Sequence, residues 1–237
     1  MTKVHIQSRY YLLGALTTIF FSYLFYVLAN GNQRAFLGQE DGLYETAGAL
    51  FFLISSILFF ITYIKSKPKK NIFFLLLGIL LLVAFLEEIS WGQRIFNIDT
   101  PEFIQEVNMQ NEINIHNLSI FHGREEDGTA KSGWSNMITA GRIFSIFWFM
   151  WCVVLPILYA SSNKIKELSD KIKVPIVPIS IGLLFILTYV VGKVLFFILE
   201  NAPKLEEIKE CNIAFLFFVV SLWFYFNTTQ KLNTDKS

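Results

Sequence analysis

Six long apolar runs divide this chain, and most of its charge falls in the connections between them. Residues 10–29 carry no charged side chain. At ~1.5 Å per helical residue, about 20 residues cross a hydrocarbon core ~30 Å thick. Comparable runs cover residues 43–64, 72–89, 137–159, 174–199 and 211–226. In hydrocarbon no water can satisfy backbone N–H and C=O groups, so a spanning run must be helical or part of a closed barrel. The chain is therefore expected to be all-α: a polytopic transmembrane helical bundle of about six spans, forming a single integral membrane domain over residues 1–237.

Composition agrees. Hydrophobic residues make up 54%, charged residues only 16%, and mean hydropathy is +0.48. A water-soluble domain carries about 25% charged residues. Lys3 and Arg9 followed by Val27-Leu28-Ala29 also fit a cleaved signal peptide. The apolar run exceeds the usual h-region of about 7–15 residues, which favours a retained first span. Cys152 and Cys211 are too few for a disulfide framework or a thiolate metal cluster.

Lys and Arg bias sets the expected orientation. With the N-terminus inside, the inner connections hold Lys3, Arg9, Lys65, Lys67, Lys69, Lys70, Lys164, Lys166, Lys171, Lys173, Lys231 and Lys236. The outer connections hold Arg34, Arg94, Arg124, Lys131, Lys204 and Lys209 over many more residues. Acids follow the opposite trend, with only Glu167, Asp170 and Asp235 inside. The expectation is a bacterial inner (plasma) membrane protein with both termini cytoplasmic and residues 90–136 extracytoplasmic. Residues 30–42 read as a short polar loop. Thr100-Pro101-Glu102 predicts a helix start, with Thr100 as N-cap, and a short amphipathic helix to about Asn108. The stretch from Asn111 to Asn117 fits strand or helix. Residues 200–210 read as an acidic connection.

Ionisable residues within spans are costly and face protein or water. Glu45, Glu87, Glu88, Arg142 and Lys193 all fall near the outer ends of their runs. Two outcomes fit: ion pairs that lock the bundle, or a polar pocket open to the outer leaflet. The focus is Glu87-Glu88-Ile89-Ser90-Trp91-Gly92-Gln93-Arg94, where an apolar run ends in two carboxylates. Continued helix would align Glu87, Trp91 and Arg94 on one stripe, and Gly92 could end the helix there. The structural alternative is an interfacial cap, with Trp91 in the aromatic belt and Arg94 at the headgroups.

A carboxylate at the hydrocarbon edge can serve as acid or base, so Glu87, Glu88 and His116 are the candidate catalytic residues. Trp91, Gln93, Arg94, Asn117, Arg142, Lys193 and Glu45 are the candidate substrate contacts. Glu88, His116 and His122, with Glu112 nearby, could ligate a divalent metal such as zinc, although their spacing matches no established metal signature. Loop hydrogen bonding is the plainer role for both histidines. No G-x-S-x-G motif or glycine-rich phosphate loop occurs. The basic clusters are short juxtamembrane turns, which argues against nucleic acid as a partner.

Glu-Glu-Ile-Ser-Trp-Gly-Gln-Arg (87–94), Thr-Pro-Glu-Phe (100–103) and Asn-Ile-His-Asn-Leu (114–118), with Glu40-Asp41-Gly42, resemble a group of uncharacterised bacterial multi-pass membrane proteins. The matching segments cover about a third of the chain. The resemblance implies a polytopic bacterial membrane protein and carries no activity with it. Seven-span zinc hydrolases of the alkaline ceramidase type use several span histidines, and no span here has one. Three functions stay open: an enzyme acting on a lipid or lipid-linked substrate, a transporter or ion-coupled permease, and a non-enzymatic subunit or scaffold.

Overall fold

The computed structural model describes residues 3–39, 42–66, 70–123, 125, 127, 129–199, 202 and 204–234. Glu40, Asp41, Lys67, Lys69, Arg124, Asp235 and Lys236 lie outside the described residues, as do the side chains of Lys3, Arg9, Arg94 and Lys231.

The chain runs α1 (Lys3–Leu28), α2 (Gly31–Leu37), α3 (Leu43–Lys65) and α4 (Ile72–Glu88), then a 3₁₀ turn at Ser90–Gly92. Short helices α5 (Gln93–Phe96), α6 (Glu102–Gln105) and α7 (Gly133–Met137) follow. After them come α8 (Ala140–Phe149), a π turn (Met150–Val154), α9 (Leu155–Ser161), α10 (Asn163–Ile172), α11 (Ile179–Ile198) and α12 (Leu205–Thr234). Five segments are long and apolar enough to cross a membrane: α1, α3, the continuous α8–α9 rod, α11 and α12. The sixth run is α4, which at 17 residues measures about 25 Å.

Side-chain pairs fix the direction of each pass. Ser56 Oγ donates to the Gly78 carbonyl at 2.7 Å, and a Cβ at Gly78 would meet the Phe60 ring at 2.7 Å. Thus α3 and α4 are antiparallel, and counting from that crossing brings Glu88 level with Thr46. Rings pair from Phe52 to Phe217 at 6.3 Å and from Phe59 to Phe224 at 6.2 Å, so α3 and α12 run parallel. Asn212 Nδ2 donates to Ser22 Oγ at 3.1 Å and the Tyr11 and Phe226 rings stack at 5.9 Å, so α1 opposes α12. Tyr23 Oη donates to the Thr188 carbonyl at 2.8 Å, tying α1 to α11. The ends of α1, α3, α4, α11 and α12 therefore gather at two poles, one holding Glu87 and the other Lys65.

The core between the poles is aromatic. Phe59, Phe74, Trp151, Phe185, Phe217 and Phe224 are buried and meet ring to ring. Such pairs add about 0.5–1.5 kcal/mol each beyond their buried area. Buried hydroxyls bond to nearby carbonyls: Ser55 to Phe51, Thr62 to Leu58, Ser221 to Phe218. Pro156 has no N–H to offer the Cys152 carbonyl four residues earlier, and the π turn falls at this place. Gly182 of α11 lies directly against that carbonyl, where any Cβ would collide with it.

Several expected boundaries shift. Residues 30–42 contain α2, started by a capping box in which Asn30 and Gln33 exchange side-chain-to-backbone hydrogen bonds at 2.9 and 3.0 Å. Thr100 does not cap α6: its hydroxyl is taken by Gln93 and the Asn111 carbonyl, and α6 is a single turn. The fifth helix starts at Ile179, because residues 174–178 run extended through Pro175 and Pro178. Its successor begins earlier than expected, so Glu206, Glu207, Lys209 and Glu210 belong to the first turns of α12 rather than to a connection. The basic connection of residues 161–173 is largely helical, as α10.

Candidate functional site

The apolar helix α4 delivers Glu87 to one pole and stops. Ile89 caps it, and Ser90, Trp91 and Gly92 then take left-handed φ values of 47°, 55° and 81°. Left-handed backbone is costly for a bulky residue such as Trp. It turns the chain sharply, so the continuous Glu87–Trp91–Arg94 stripe does not form. Trp91 nonetheless reaches back, and its Nε1 donates to Glu87 Oε1 at 2.6 Å.

The other Glu87 oxygen collects the segment that follows. Oε2 accepts from the Ile115 amide at 2.7 Å and the His116 amide at 2.9 Å, and lies 3.2 Å from His116 Nδ1. Four donor groups on one carboxyl suit a carboxylate, which only accepts. Nδ1 then carries the ring proton, and Nε2 is the nitrogen left to exchange one. The Glu87 side chain is 13% exposed and the His116 side chain 40% exposed, so the imidazole is the reachable member.

A polar knot holds this pair in place. Residues 111–117 form neither strand nor helix; they are turns pinned by side chains, next to an isolated bridge between Asn108 and Leu118. Buried Asn108 receives the Gln110 and Glu112 amides at 2.9 and 3.2 Å and donates to the Asn114 carbonyl at 3.0 Å. Buried Ser90 donates to Glu112 Oε2 at 2.7 Å, and Asn114 Nδ2 donates to the same oxygen at 2.6 Å. Gln93 Oε1 accepts from the Ile113 amide at 2.6 Å. Asn117 Nδ2 donates to Gln110 Oε1 at 2.6 Å, and the Asn117 carbonyl accepts from the Met109 amide at 2.8 Å. Gln93 and Asn117 thus spend their polar groups inside the knot.

Acids from α3, α4 and α12 gather behind it. Glu210 has His116, Glu45 and Lys209 as electrostatic neighbours, and Glu88 acts on Cys211. Lys193 on α11 lies 3.8 Å from Glu206, which also pairs with Lys209. Arg142 stands apart: it is exposed on α8, with no side-chain partner among the described residues. No group of three His, Cys, Asp or Glu suited to a metal ion occurs among the described residues, and Glu88, His116 and His122 are not drawn into one. Sequence reasoning missed Glu206, Lys209 and Glu210 as neighbours of the site. A helical register extended backward from the sixth apolar run would have found them. Ser90 carried no such signal, because its partner Glu112 lies 22 residues away.

The chain matches no protein-family model, and no curated protein or solved structure matches it.

Proposed function

We propose that this integral membrane protein is an enzyme acting on a lipid or lipid-linked substrate at the extracytoplasmic face of a plasma membrane. His116 is its general acid/base, and Glu87 is the positioning residue that orients the imidazole. The observation that carries this reading is the Glu87–His116 pair, held by both ring and backbone at the end of an apolar helix. A carboxylate on Nδ1 fixes the tautomer and steadies the imidazolium that forms when Nε2 takes a proton. Half-exposed Trp91 and Ile115 flank the pair and suit an acyl chain rather than a water-soluble substrate. The Lys/Arg bias supports placing this pole outside and the Lys65 pole inside.

A transporter needs polar groups that continue across the bundle. Beyond the Glu87 pole, Ser55, Thr62 and Ser221 in the core spend their hydroxyls on carbonyls of their own helices, which disfavours a relay.

The test compares the wild type with His116→Asn in vesicles of total lipid extract, followed by mass spectrometry of the lipids. Conversion of one lipid class by the wild type, reduced at least about 100-fold in the variant, supports the reading. Identical lipid profiles from both proteins overturn it. Recovery of a stoichiometric protein partner by both favours the scaffold instead.

A further inference from the structure

The opposite pole carries a helix whose design the proposed chemistry does not use. α10 (Asn163–Ile172) joins α9 to the extended stretch before α11 and packs mainly against α9. At ~100° per residue, Ile165, Leu168 and Ile172 form one apolar stripe. Leu168 is 54% exposed and Ile172 49% exposed, so the stripe is largely uncovered by protein. Lys164 and Lys171 lie roughly 70–90° from the centre of that stripe, whereas Asp170 points roughly 170° away, and Glu167 and Lys166 roughly 130° on either side.

The helix is fixed where it stands. Ser162 caps its start by accepting from the Ile165 amide at 3.5 Å. Lys173 ends it in a left-handed conformation at φ 62°, and its carbonyl accepts from Asn71 Nδ2 at 2.8 Å. That bond docks α10 on the α3–α4 turn, which contributes Lys65 and Lys70. Tyr159 Oη donates to Asp170 Oδ1 at 2.9 Å, which occupies the acid on the far side, and Lys166 lies over the Tyr159 ring at 5.9 Å. Lys65 binds Tyr225 Oη at 2.9 Å, so the end of α12 closes the same pole.

We propose that α10 lies in the plane of the membrane and, with Lys65, Lys70 and Lys173, forms a docking surface for the headgroups of anionic phospholipids. The apolar stripe seats in the acyl boundary, continuous with the lipid-facing surface of the bundle. The lysines beside it meet the phosphates, and the acids face away from the lipid. A basic amphipathic helix beside spanning helices suits this use. A zwitterionic leaflet satisfies the stripe but offers no net negative charge to Lys65, Lys70, Lys164, Lys171 and Lys173.

The test uses the full-length protein in nanodiscs of mixed phosphatidylglycerol and phosphatidylcholine, with native mass spectrometry of the lipids retained after release. The wild type should retain phosphatidylglycerol on the order of tenfold over phosphatidylcholine at low salt, and Lys164→Gln/Lys171→Gln/Lys173→Gln should lose that preference while keeping its helical content. Equal retention of the two lipids by the wild type overturns the proposal, as does an undiminished preference in the triple variant. A nitroxide at Leu168→Cys should report the acyl boundary by depth-dependent quenching. A water-exposed label, or one shielded by contact with a second copy, overturns it too. Neither measurement depends on any reaction at His116.

Discussion

Glu87 holds His116 twice, accepting from its backbone amide at 2.9 Å and standing 3.2 Å from its ring Nδ1 with the same carboxylate oxygen. The residues are 29 positions apart, so this side chain helps close the loop that follows α4, together with Ser90 and Gln93. It fixes both the path of the backbone and the tautomer of the ring.

Replacing Glu87 with Gln places an amide where three N–H groups and an indole already point. Only its carbonyl oxygen can accept, so some of these part-exposed donors lose their partner, at about 0.5–1.5 kcal/mol for each bond lost. Hydrogen exchange should report it locally. The Ile115 and His116 amides should exchange faster in Glu87→Gln, while amides of the α3–α12 core keep their wild-type rates.

Gly92 has φ 81°, and a Cβ there would stand 3.1 Å from the Phe96 ring. Gly92→Ala should therefore destabilise the protein by about 1 kcal/mol or more. Gly141→Ala is the control, because nothing lies within 4 Å of its Cβ position. It should be neutral or slightly stabilising in a helix. Thermal unfolding in one detergent compares the two.

Gly182 is the crossing point of α11 and the π turn. A methyl group there meets the Cys152 carbonyl, a backbone atom that cannot swing aside. Gly182→Ala should cost about 1–3 kcal/mol, as overpacking does, and should lower the melting temperature of the purified protein.

The apolar runs made the bundle legible in the sequence, because lipid admits only helices and closed barrels and runs of about 20 residues have the length of helical spans. The boundaries were less legible where polar residues sit in helices. Lys209 and Glu210 look like a connection, yet α12 runs through them since its buried neighbours Leu205 and Ile208 keep the helical period. Glu87 and His116 were visible as candidates, but their union was not. It depends on left-handed Ser90 and Trp91, conformations that neither residue type announces. Thr100-Pro101-Glu102 misled for a related reason: the Thr100 hydroxyl does better with Gln93 and the Asn111 carbonyl than as a cap.

Cys152 and Cys211 are both buried, at 0% and 7% exposure. A thiol-reactive maleimide should leave the folded protein unlabelled over hours and modify both residues after denaturation. Rapid labelling of Cys211 in the folded state would show that the contact between α3 and α12 at Gly48 opens.

The pairing of Glu87 with His116 can be observed without knowing the substrate. Nitrogen-15 spectra of the histidine rings report which nitrogen carries the proton, and the chain has only three histidines to assign. At a pH where the ring is neutral, His116 should carry its proton on Nδ1, and Glu87→Gln should shift that signal toward the free-histidine mixture. A proton on Nε2 in the wild type, or a spectrum indifferent to Glu87→Gln, would contradict the pair and the acid/base role built on it.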